Sequence, residues 1–110
     1  MLKVVNMIKE IGLPFAYDHF AEGESPNPPF ICYLTPGSDN FAADGKVYHK
    51  INIIHLELYT DCKDLSVEQK VEAVLDKHGI FYAKLETWIE SEKLYEVLYS
   101  FEMEVYQNGK

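Results

Sequence analysis

Four histidines, two cysteines and eighteen carboxylates are the side chains of this chain that could do chemistry. Histidine titrates near neutral pH and binds metals. His49 and His55 fall in one extended segment, six residues apart, which separates them by roughly 20 Å at 3.3 Å per residue. They cannot share an ion. His19 follows Asp18, and His78 ends a helical stretch. No H-x-H, H-E-x-x-H or C-x-x-C spacing occurs, so no metal site is expected. Cys32 lies in the apolar run Phe30-Ile31-Cys32-Tyr33-Leu34, where it reads as a small buried hydrophobe. Cys62 lies in a polar stretch, and a single cysteine pair is no disulfide framework. A nucleophile needs a base held beside it, and neither a G-x-S-x-G elbow nor a glycine-rich phosphate loop is present. Paired carboxylates do acid–base work when burial separates their pKa values. Glu102 and Glu104, alternating on one strand face, read instead as ionised and solvated. No catalytic residue, metal ligand or cofactor site is therefore expected.

The elements that would position these residues follow from periodicity. Val4, Met7, Ile8 and Ile11 recur at helical spacing, which predicts a helix over Leu2 to Ile11, ended by Gly12 and Pro14. Residues 21–29 form a loop restricted by three prolines. A strand is expected from Phe30 to Leu34, then a long connection from Pro36 to Gly45 that carries Phe41. That aromatic either meets a partner or folds back on the core. The next strand, Lys46 to Thr60, changes phase between Ile53 and Ile54, as a β-bulge there would make it do. Ser66 and Gln69 fit a capping box for a second helix with Val67, Val71, Val74 and Leu75 on one face and Gly79 after its end. Strands from Ile80 to Ile89 and from Leu94 to Tyr106 complete the order. The result is an α+β fold, α-β-β-α-β-β, with a mainly antiparallel sheet and two helices packed on one face.

Composition bounds the function. The chain has 110 residues, enough for one domain (1–110) and one real core. Ten lysines against eighteen acids give a net charge of −8. That is poor in cations for phosphates and unsuited to an anionic membrane. No segment reads as a signal peptide or membrane span, so cytoplasm is the expected location. On the strand from Ile80 to Ile89, Tyr82 and Trp88 lie opposite the apolar set Phe81, Ala83, Leu85 and Ile89. They are expected either to touch another molecule or to be covered by a second layer of the same chain. Leftover aromatics and unpaired strand edges point to oligomerisation.

Four stretches carry a resemblance: PNPPFICYL, SDNFAADGKVYHKINIIHLELYT, SVEQKVEAVLDKHGIFY and SEKLYEVLYSFEMEVY. Together they resemble the small proteins of the head–tail joining region of siphophages and Gram-positive prophages. The element order is similar to the tail-terminator, or tail-completion, class. The resemblance implies a non-enzymatic virion subunit. It would form a homo-oligomeric ring, commonly a hexamer, on the end of the tail tube. The ring would stop tube growth and meet the head connector, assembling in the host cytoplasm and ending in the virion. DNA would pass through the ring without sequence-specific binding. Glu96, Glu102 and Glu104 are candidate residues of an acidic lumen or solvent face. Phe41, Asp44, Tyr82 and Trp88 are candidate contacts with a neighbouring subunit or the tail tube. Competing readings are another connector (a stopper or neck protein), an acidic inhibitor or DNA mimic, and a small hydrolase using Cys62 or His55.

Overall fold

The computed structural model describes residues 2–38, 41–43 and 46–105. Two helices lie on one face of a mainly antiparallel sheet. The order is α1 (Leu2–Lys9), β1 (Phe15–Tyr17), β2 (Phe30–Ser38), β3 (Phe41–Ala43), β4 (Lys46–Thr60), α2 (Leu65–Lys77), β5 (Ala83–Ile89) and β6 (Leu94–Val105). The main sheet runs β1-β2-β4-β6-β5, and β3 pairs with β4 off this path. Among the described residues only β1 and β2 pair in parallel. Two short strands, β1 and β3, are additions to the expected order; at three residues each, neither shows a periodicity.

The core is one cluster between helices and sheet. Val4, Met7, Ile8 and Ile11 come from the α1 segment, and Val71 and Leu75 from α2. They meet Ile31, Tyr33, Ile54, Leu56, Leu58, Val97, Tyr99, Phe101 and Met103 of the sheet. Burying side chains of this size contributes about 1.5–3 kcal/mol each, which fixes the helices on this face. The segment 1 helix ends at Lys9, and a tighter turn follows, with Glu10 N–H donating to Met7 and Ile11 N–H to Ile8. Gly12 and Gly79 adopt the positive φ expected of residues after helix ends.

Three local expectations are corrected. The α2 N-cap is Asp64, not Ser66: Asp64 accepts from Val67 N–H at 3.2 Å, while Ser66 donates its hydroxyl to Asp64 at 2.8 Å from inside the helix. A carboxylate at this position also meets the positive end of the helix. The expected bulge at Ile53-Ile54 is absent: the β4–β6 ladder runs without a break from Lys50↔Val105 to Thr60↔Tyr95. Register shifts lie instead in β2, between Leu34 and Gly37, where Pro36 interrupts the strand, and in the β3–β4 ladder, where β4 carries an extra residue between Val47 and His49. Ile51 and Ile53 change parity because they lie on the other face of an unbroken strand. Finally, the long connection from Pro36 is largely a β-ribbon, since β2 runs to Ser38 and β3 pairs back onto β4.

Candidate functional site

The register gives the sheet two unlike faces. One carries the core and the helices. The other carries Cys32 and Leu34 of β2, Ile53, His55, Glu57 and Tyr59 of β4, and Glu96, Leu98, Ser100, Glu102 and Glu104 of β6, with Leu85 and Thr87 of β5. Neither helix packs on this second face. Most of its central residues are half-buried by their own neighbours, and Leu85 is 63% exposed.

At its centre the Tyr59 hydroxyl lies 2.9 Å from Glu57 Oε1 and 3.1 Å from Glu96 Oε2. One hydroxyl proton serves two acceptors, so the trio suits an added proton. Burial pushes Glu57 above its ordinary range; the Tyr59 bond opposes this and the Glu96 charge adds to it. Burial also raises the Tyr59 phenol, helped by the bond to Glu57. Beside them Cys32 is pushed up to about 11, first by burial and then by the Glu57 charge. A thiol so raised stays protonated and inert. The exposed Cys62 is also raised, chiefly by the Asp61 carboxylate, the opposite of an activated nucleophile.

Among the described residues, concavities border the face at both ends. The loop after β1 folds over one end, where Phe20 meets Phe30 edge-on at 5.4 Å and Phe30 stacks on Tyr59 at 5.2 Å. Asp18, His19, Phe30, Cys32 and Tyr59 line an open pocket of about 260 Å³ there. At the other end Ile53, Ile80, Phe81, Phe101 and Glu102 line a wider groove of about 700 Å³. Phe81 stands 96% exposed at its rim. Among the described residues no three His, Cys, Asp or Glu side chains converge as a metal site.

The helix-side face of β5 holds the ionic chemistry. Lys84 bridges Glu68 and Glu72 at 2.9 and 2.6 Å, and Lys63 reaches Glu68 at 2.7 Å and also pairs with Glu86. Tyr99, fully buried, donates its hydroxyl to Glu72 at 2.8 Å. Burial alone would raise Glu68 and Glu72, but hydrogen bonds from Lys63 and Lys84 hold Glu68, and those from Lys84 and Tyr99 hold Glu72, below the ordinary range. Glu68 Oε1 is buried without a well-aligned hydrogen bond, although Lys84 Nζ stands near it as an ion pair.

The sequence-proposed residues fall in different places. Glu96, Glu102 and Glu104 share the helix-free face, and Glu57 joins them from β4. That fourth carboxylate was hidden because cross-strand register is not written in either strand alone; the alternation Ile53-His55-Glu57-Tyr59 is the signal that could have found it. Tyr82 turns toward its own chain, packed on the core with its ring edge-on to Tyr99 at 5.4 Å. Trp88 lies on the helix side at the sheet's end, 41% exposed, its ring 4.7 Å from Tyr95 and its N–H donated to Glu90. The reason for both is the same: on β5 Lys84, Glu86 and Trp88 face the helices, with Tyr82 just before the strand on that side, and Ala83, Leu85 and Ile89 face outward. Phe41 is placed in β3 by its backbone, and Asp44 lies outside the described residues.

No protein-family model matches this chain, and no curated protein matches it. Among solved structures the fold is similar to a chain of the virion of a native gene transfer agent particle. The match has a TM-score of 0.60 over 90% of this chain and 83% of that chain, at 10% identity. The likeness is one of fold.

Proposed function

We propose that this chain is a structural subunit of a phage-type virion, of the tail-terminator kind: a ring subunit that caps the tail tube and joins it to the head connector. The observation that carries this reading is the shared fold with a virion chain, over 90% of the present one. The helix-free, partly apolar sheet face supports it, because a subunit in an assembly needs a surface to give to its neighbours. The helix-side lysine network and the raised thiols are structural features, and the reading assigns no catalysis to them. The ring is taken as a homo-oligomer, a hexamer by resemblance, formed in the host cytoplasm and retained in the virion. The chain's net charge of −8 would discourage passing DNA from sticking. Phe41, Asp44 and Trp88 are proposed contacts with a neighbour or the tube, whereas Tyr82 packs on its own core. Incubation of purified chain with tail tubes, followed by electron microscopy, tests the reading. A ring seated on tube ends is expected. A chain that stays monomeric and leaves tubes uncapped sinks it. Binding to the connector but not to tube ends would move the role to a stopper or neck protein.

A further inference from the structure

Within that ring reading, we infer that the helix-free sheet face of one copy docks on the helix layer of the next copy, a head-to-tail contact. The charges of the two faces argue for it. Among the described residues the helix-free face carries four carboxylates, Glu57, Glu96, Glu102 and Glu104, and no lysine on its strands. The chain contains no arginine. Its lysines cluster elsewhere: Lys3 and Lys9 on α1 and Lys70 and Lys77 on α2, all exposed. The acids of the outer helix layer are fewer. Glu10 is taken up by Lys77 and His78 at 2.9 and 3.0 Å, which occupies Lys77; Asp64 caps α2 near Lys70, and Asp76 is exposed. Glu68 and Glu72 face the sheet, bound by Lys63 and Lys84.

Like charges forbid a two-fold contact of sheet face on sheet face. The complementary surface on a second copy is the helix layer. A contact between two different patches is heterologous, and such contacts close into rings when the rotation allows. A lumen wall would suit the four carboxylates alone. It does not suit the Leu34, Ile53, Leu85 and Leu98 side chains set between them, which gain from being covered. Charge sets the orientation here, and apolar burial holds the contact.

The test uses the full chain, mixed as light and heavy isotope forms so that links between copies are recognised. Zero-length carbodiimide coupling joins a carboxylate to a lysine in contact. Links between copies are expected from the Glu96–Glu104 peptide to Lys9 or Lys70. Glu102→Lys and Lys70→Glu, both at exposed positions, are each expected to weaken assembly about three- to tenfold in light scattering, and to restore it when the two variants are mixed. An oligomer whose links run elsewhere, or which both variants leave unchanged, overturns this contact and leaves the ring standing. A chain that is monomeric at every concentration and salt overturns the ring as well.

Discussion

Tyr99 ties the core to the ionic layer: its ring is buried among Leu56, Val97 and Phe101, and its hydroxyl donates to Glu72. Tyr99→Phe keeps the ring and removes the donor. A loss of about 1–1.5 kcal/mol is expected in denaturant unfolding. Glu68→Ala is expected to cost more, about 1–3 kcal/mol, because two lysines lose their shared anion while part of each remains wet. The same carboxylates set the acid limb of stability. Glu68 and Glu72 have folded values below the ordinary 4.5. The unfolded chain therefore binds their protons first, so their stabilisation is complete above about pH 4.5 and is lost as pH falls through the folded values. Glu57 has the opposite sign. Its folded value is raised, so its charged form costs stability at neutral pH, and the cost is relieved on acidification. Unfolding of Glu57→Gln across pH 4–8 is expected to show higher stability than wild type at the alkaline end and convergence at the acid end. A flat difference would show that Glu57 is not strained by its charge.

At the scale of the element, helices were the most legible part. Spacing alone placed α1 and α2, because a buried helical stripe needs Val4, Met7, Ile8, Val71 and Leu75 where they stand. The cap was misplaced by two residues, since Asp64 and Ser66 are both competent caps and only the geometry of Val67 N–H chooses between them. Asp64→Ala is expected to cost about 1 kcal/mol. Ser66→Ala, which removes only a hydroxyl from within the helix, should cost well under half of that; the reverse order in thermal melts would restore the Ser66 cap. The faces of β6 were legible because it is central and alternates cleanly. Those of β5 were not. An edge strand beside a helix can satisfy its inner face with Lys84 and Glu86 pairing to Glu68 and Lys63, so hydrophobicity no longer marks the inside. The β4 phase change likewise records two half-apolar faces rather than a bulge. The acidic face was readable on β6 alone; its meeting with Glu57 needed the ladder.

At the scale of the whole molecule, the outward apolar face of β5 lets the proposed assembly be tested apart from folding. Leu85 is 63% exposed opposite Leu98, so it contributes little to the isolated chain. Leu85→Asp should therefore leave the unfolding midpoint of the monomer within about 0.5 kcal/mol of wild type. Leu58→Ala, inside the core on the other face of the same sheet, should cost about 2–5 kcal/mol. Assembly should respond in the reverse order. A carboxylate introduced among Glu96, Leu98 and Glu102 would have to be desolvated beside like charges when a neighbour docks. Sedimentation at a fixed concentration should then show the Leu85→Asp chain dissociated while still fully folded by circular dichroism. A Leu85→Asp chain that assembles normally would mean that the sheet face looks onto solvent in the finished particle.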